Sequence, residues 1–187
     1  MKNISRFILH NLMGWNTINT FPPKLKKYII IVAPHTSWLD FPIGVLGRFA
    51  LGIKGRFIGK HTLFKPPFGF IFRSFGGTPV DRSKSANRVQ SIIDIFDDNK
   101  EFILAISPEG TRKKINKWKT GFYYVAKGAK VPIIMVGLDY KVKKIIVSNP
   151  FDITGNIEKD FLHFHEFYKD INAKHPDKFE SNFHKNM

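Results

Sequence analysis

Apolar and polar residues fall in short alternating blocks along this 187-residue chain. Tyr28-Ile29-Ile30-Ile31-Val32-Ala33-Pro34 and Phe102-Ile103-Leu104-Ala105-Ile106 are unbroken apolar runs of strand length. Such runs predict strands buried on both faces. Val131 to Leu138 and Lys143 to Val147 predict two more strands. Arg56 to Gly59 predicts a shorter one, and Gly76 to Arg82 a turn leading into another. Between them lie helical patterns. Phe41 to Leu51 is mostly apolar, and Ala86 to Asp98 carries Val89, Ile92, Ile93 and Phe96 at helical spacing. Trp118 to Ala129 predicts a helix with Gly128 near its end. Lys159 to Ile171 predicts the last helix, with Phe161, Leu162, Phe164, His165 and Tyr168 on its apolar side. Pro66-Pro67 suits a helix start, with Phe68, Phe72 and Phe75 on one face to line an acyl-chain pocket, touch lipid or pack in the core. The polar residues after His175 are expected to fray. The alternation predicts an α/β fold with a mostly parallel central sheet flanked by helices, in one domain over residues 1–187.

At the N-terminus, Ile4, Phe7, Ile8, Leu12 and Trp15 recur at roughly helical spacing, flanked by Lys2 and Arg6 and followed by Lys24, Lys26 and Lys27. Residues 1–23 therefore read either as an amphipathic segment lying in a membrane interface or as a first helix packed on the core.

Charge narrows the partners. Lys plus Arg number 30 against 15 Asp plus Glu, a net charge of +15. That excess predicts an anionic partner: nucleic acid, an anionic bilayer or a phosphorylated substrate. The absence of cysteine excludes disulfides and thiolate catalysis. No apolar run reaches the ~18–20 residues of a membrane span, and polar residues interrupt the N-terminal stretch where a cleavable signal would be apolar. The expectation is a protein that is soluble or bound to one membrane face.

Chemistry collects where two buried strands end. His35-Thr36-Ser37-Trp38-Leu39-Asp40 follows the first run, and Ser107-Pro108-Glu109-Gly110-Thr111-Arg112 follows the other. Functional groups in open α/β sheets gather at the carboxyl ends of strands. Residues five apart do not face each other on a regular helix. His35 and Asp40 meet only if His35 lies in the turn before a helix and Asp40 in its first turn, with Thr36 or Ser37 as cap. Asp40 would then fix the imidazole tautomer and leave the other nitrogen as a base. No G-x-S-x-G elbow accompanies the pair, so the nucleophile would be a substrate hydroxyl or amine. Gly110 allows a tight turn with exposed N–H groups. Arg112 offers a fork for phosphate, and Glu109 can orient Arg112 or accept from a substrate hydroxyl. Arg82 and Lys60 are further phosphate candidates.

These blocks resemble the glycerolipid acyltransferase family, of the lysophosphatidic acid acyltransferase type. The family's His-x4-Asp block is His35 to Asp40. Its others are Gly76-Gly77-Thr78-Pro79-Val80-Asp81-Arg82, Pro108-Glu109-Gly110-Thr111-Arg112 and Val131-Pro132-Ile133-Ile134. The resemblance implies the glycerolipid acyltransferase fold with a membrane-docking N-terminal helix. It implies transfer of an acyl group from acyl-CoA or acyl carrier protein to a lysophospholipid hydroxyl, with 1-acylglycerol-3-phosphate the expected acceptor. His35 is implied as base, Asp40 as its orienter, and Arg82 and Arg112 as holders of the acceptor phosphate. Lys60, Glu109, Gly110 and Thr111 complete the expected substrate site. Neither a metal nor a cofactor is implied, and the expected place is peripheral, on the cytoplasmic face of a membrane. Three departures bear on the head-group site: Ser107 stands where the family usually has Phe, Met135 where a second Pro is common, and Lys60-His61-Thr62-Leu63 lacks the usual Glu. A lyso-aminolipid acceptor keeps the same base. A non-catalytic basic lipid- or nucleic-acid-binding protein is the reading from another class, and no nucleic-acid recognition motif supports it. His163 and His165, two apart in a helical segment, do not face one another as metal ligands would.

Overall fold

The computed structural model describes residues 1–53, 55–67, 69–80 and 88–180. Its strands are β1 (Asn16–Ile18), β2 (Lys27–Ala33), β3 (Arg56–Lys60), β4 (Gly77–Val80), β5 (Phe102–Ile106), β6 (Ile133–Asp139) and β7 (Lys144–Val147). The helices are α1 (Lys2–Phe7), α2 (Asp40–Leu51), α3 (Gly69–Ser74), α4 (Arg88–Asp98), α5 (Gly121–Ala129) and α6 (Ile157–Tyr168). The strands form one sheet in the order β1-β7-β6-β2-β5-β3-β4. Every pairing is parallel except the β6–β7 hairpin. The expected mostly parallel sheet flanked by helices is therefore present.

Strand periodicity explains how the apolar runs fill two layers. Successive side chains point to opposite faces. Ile29, Ile31 and Ala33 of β2 join Ile133 and Met135 of β6 in a core with residues of α5 and α6, including Phe122, Tyr123, Phe161 and Phe164. Tyr28 and Ile30 join Ile134, Val136 and Leu138 in the opposite core, with Leu9, Trp15 and Ile43. Covering both faces requires β2 to be apolar from Tyr28 to Ala33 and β6 from Ile133 to Leu138, which is why their sequences do not alternate. Helix α2 lies close to the sheet because Gly47 has no side chain; a Cβ there would sit 2.7 Å from Ile145 Cδ1.

Several boundaries differ from the sequence reading. The N-terminal segment is α1 followed by a π-helical turn, Ile8–Leu12, rather than one helix to Trp15. Its apolar stripe divides: Trp15 is buried and Ile8 half-buried, while Ile4, Phe7 and Leu12 are 66%, 56% and 69% exposed; Leu9, outside the stripe, also enters the core. Strand β1 was not expected; it is too short and too exposed to leave an alternating pattern. Helix α3 begins at Gly69, after Pro66-Pro67 rather than upon them. Phe68 lies outside the described residues, whereas Phe72 packs against Phe41 and Phe64, and Phe75 against Phe49. Helix α5 starts at Gly121, leaving Trp118 buried in the preceding loop. Helix α6 starts at Ile157, where the Asn156 side chain accepts from the Lys159 N–H, and ends at Tyr168. Leu162 faces outward rather than into the core. Just past His175, Pro176–Lys178 form a 3-10 turn, and the His175 N–H donates to Thr36 Oγ1; the tail expected to fray lies outside the described residues from 181 on.

Candidate active site

Strands β6, β2 and β5 are neighbours, and the loops leaving their carboxyl ends carry Tyr140, His35 and Glu109. His35 sits in the loop after β2, and Asp40 is the first residue of α2. The backbone turn between them overcomes the poor facing of positions five apart. His35 Nδ1 lies 3.1 Å from Asp40 Oδ2, and the two side chains are 29% and 2% exposed. The Ser37 N–H donates to the same Oδ2 at 2.8 Å, and the Tyr140 hydroxyl donates to Oδ1 at 2.5 Å. The buried carboxylate thus meets donors at both oxygens, as a buried anion must. Neither Thr36 nor Ser37 caps α2 as expected. The bond runs the other way, from the Ser37 backbone to the Asp40 side chain, while the Ser37 hydroxyl accepts from the Leu39 N–H and Thr36 from His175. With Nδ1 turned to Asp40, Nε2 is the nitrogen left for a substrate, and no hydrogen bond from the described residues occupies it.

Glu109 takes a part that was not expected of it. It is only 1% exposed, and its Oε1 accepts the backbone N–H of His35 at 2.7 Å. Arg112 is not its hydrogen-bond partner among the described residues. Instead it ties the β5–α5 loop to the β2–α2 loop and fixes the backbone of His35. Burial pushes its carboxyl up to about 8; the His35 N–H opposes that rise, and the nearby negative charge of Asp40 adds to it. A carboxyl raised in the folded state binds a proton that the unfolded chain, near 4.5, has released. Its stability contribution is therefore greatest at acid pH and declines as pH rises from about 4.5 to about 8. Glu109→Gln keeps an acceptor for His35 but has no proton to lose. Between pH 5 and pH 8 the melting temperature of the variant is expected to fall less than that of the wild type. Parallel melting curves would remove this account of Glu109.

The Gly110 turn forms, with φ +64, but its N–H donates to the Ser107 carbonyl at 3.1 Å and is not offered to a ligand. The Lys119 side chain covers that turn: a Cβ on Gly110 would lie 2.9 Å from Lys119 Nζ. Thr111 accepts from the Lys113 N–H through Oγ1, and Arg112 is exposed. Lys60 ends β3, with its side chain outside what the structure describes; Arg82 lies outside the described residues. Sequence reasoning missed Tyr140 and Lys119. Tyr140 follows β6, so the same strand-end rule that found His35 and Glu109 points to it.

An apolar cavity of about 240 Å³ opens between α2 and the sheet. Ile30, Val32, Val45, Leu51 and Ile106 line it, and His35 and Asp40 share its wall. Arg48 also lines it, but its guanidinium is engaged by the backbone carbonyls of Ile53 and Phe75. A proton acceptor beside an apolar slot is suited to a reacting carbonyl with a hydrocarbon tail. Among the described residues no three metal-ligating side chains cluster; His163 stacks on Phe151 at 4.2 Å.

Comparison with known proteins gives matches of two kinds. The model of the Acyltransferase family matches residues 13–139, which include the His35–Asp40 and Glu109–Arg112 segments. No curated protein gives a significant match. Among solved structures, the 1-acyl-sn-glycerophosphate (LPA) acyltransferase PlsC from Thermotoga maritima superposes with a TM-score of 0.60. The two are 18% identical, and the match covers 91% of this chain and 78% of that one. At that identity the likeness speaks for the fold.

Proposed function

The chain belongs to the Acyltransferase family, and from that membership we propose that it moves a fatty acyl group from a thioester to the hydroxyl of a lysophospholipid, 1-acylglycerol-3-phosphate being the expected acceptor. The observation that carries this reading is the His35–Asp40 pair on the wall of an apolar cavity. The acyl chain lies in the cavity with its thioester carbonyl near His35. His35 Nε2 takes the acceptor's hydroxyl proton as the oxygen bonds to the carbonyl carbon. Asp40 stabilises the resulting imidazolium. The tetrahedral adduct then collapses, the C–S bond breaks, and the thiolate of CoA or of a carrier protein leaves with the proton from His35. Acyl group, electron pair and proton all balance without a covalent acyl-enzyme or a metal.

Arg112, exposed just after the Gly110 turn that Lys119 covers, is assigned to hold the acceptor phosphate. Lys60 and Arg82 remain candidates for the same task. Exposed Met1, Ile4, Phe7 and Leu12, interspersed with Lys2 and Arg6, support docking of the N-terminus on an anionic membrane surface. Among the described residues no helix is long and apolar enough to cross a membrane; the proposed attachment is peripheral, on the cytoplasmic face.

The test is direct. Purified protein is given long-chain acyl-CoA and acyl carrier protein thioesters with 1-acylglycerol-3-phosphate and with neutral and amino lysolipids, and products are identified by mass. Acylation of the phosphorylated acceptor at the highest kcat/KM is expected. Preference for an amino lysolipid would replace the acceptor and keep the base; no acylated lipid from any pairing would contradict the reading.

A further inference from the structure

We propose that Tyr140 is a positioning residue for acyl transfer, its phenol gripping one oxygen of Asp40 so that the other faces His35. The inference rests on the reading of His35 and Asp40 given above. The family match ends one residue before Tyr140, so nothing in that resemblance assigns it a role.

The two oxygens of Asp40 are divided between partners. Oδ1 receives the Tyr140 hydroxyl at 2.5 Å, and Oδ2 receives the Ser37 N–H at 2.8 Å beside His35 Nδ1 at 3.1 Å. A carboxylate anchored only by Ser37 and His35 could turn about its Cβ–Cγ bond. The phenol supplies the third point that fixes the plane. It is itself held from three sides. The Trp15 ring meets it edge-on at a centroid distance of 5.0 Å, the Lys174 ammonium lies 5.8 Å from its centroid, and its backbone N–H donates to the Asn172 carbonyl at 2.9 Å. Two segments distant in sequence, one at Trp15 and one at Asn172–Lys174, therefore hold Tyr140 by its ring and its backbone. Burial, with the bond to Asp40 and its charge as lesser causes, holds the phenol above its usual range. It stays a donor throughout the working pH range.

Its second effect is electrostatic. A donor on Oδ1 draws charge from the carboxylate and weakens the attraction between Asp40 and a protonated His35. The other ionisable groups nearby are Glu109 from the β5–α5 loop and Lys174 from the C-terminal segment. Asp139, the neighbour of Tyr140, is engaged by the Lys141 and Val142 N–H groups and by Asn172.

Tyr140→Phe keeps the ring packed on Trp15 and deletes only the hydroxyl. Two readouts are compared with the wild type: kcat and KM across pH, and the NMR titration of the His35 ring, identified by its loss in His35→Ala. The expected result is a kcat about tenfold lower, with KM for donor and acceptor unchanged. The acid limb of kcat and the midpoint of the His35 titration both move to higher pH, by about half a unit to one unit. A purely structural tyrosine would lower the melting temperature and leave both midpoints in place; that result, or a shift to lower pH, overturns the proposal. The titration needs no turnover. Failure of the acyl-transfer reading would therefore show as an inactive wild type whose His35 still responds to Tyr140→Phe.

Discussion

His35→Ala is expected to lower kcat for acyl transfer by about 10²–10⁴-fold, the usual contribution of a positioned general base. KM for both substrates should change little, because the imidazole acts on a proton that moves only as the hydroxyl attacks. The fold should survive. His35 is part-exposed on a loop, and its backbone N–H, not its ring, makes the bond to Glu109. Alanine keeps that N–H. Kinetics on protein of matched melting temperature check the expectation. Near-normal turnover would remove His35 from the mechanism.

Asp40→Asn is expected to lower kcat by about 10²–10³-fold while leaving a folded protein. Asparagine can keep its carbonyl oxygen toward Ser37 and His35 if its amide faces Tyr140, whose hydroxyl then accepts instead of donating. Geometry is largely conserved and charge is lost. The imidazolium formed during attack then has no counter-charge, so the acid limb of kcat should move to lower pH, opposite to the shift expected for Tyr140→Phe. Hydrogen bonds to a buried anion give way to neutral ones, and stability should fall by about 1–3 kcal/mol. Kinetics across pH together with a melting curve separate the two effects. A kcat within about threefold of wild type at unchanged stability would show that Asp40 only shapes the loop.

What the sequence made legible follows from how local each signal is. The buried runs at Tyr28–Ala33 and Phe102–Ile106 declared the central strands because both faces of a covered parallel sheet demand apolar residues. His35 and Asp40 were legible because both lie within one strand–loop–helix turn. Helix ends were read less well. Trp118 and Leu162 fit a helical apolar pattern, yet the chain enters α5 only after Trp118, and α6 turns Leu162 outward. Tertiary packing decides such positions, not spacing. The bond from the His35 N–H to Glu109 is not legible for a related reason: it joins a side chain to a backbone N–H 74 positions away, which no side-chain motif reports. Tyr140 is 100 positions from Asp40. Only the order of the strands, with β6 and β5 on either side of β2, brings the three loops together.

The central claim is that His35 passes an acyl group straight from a thioester to a lysolipid hydroxyl. The most direct measurement follows free thiol and acylated lipid together, in wild type and in His35→Ala at equal folded concentration, with and without acceptor. The account predicts thiol release that requires the acceptor, matches the acylated lipid mole for mole, and is lost in the variant. A stoichiometric burst of thiol without acceptor, leaving acyl groups on the protein, or acceptor-dependent transfer undiminished in His35→Ala, would contradict it.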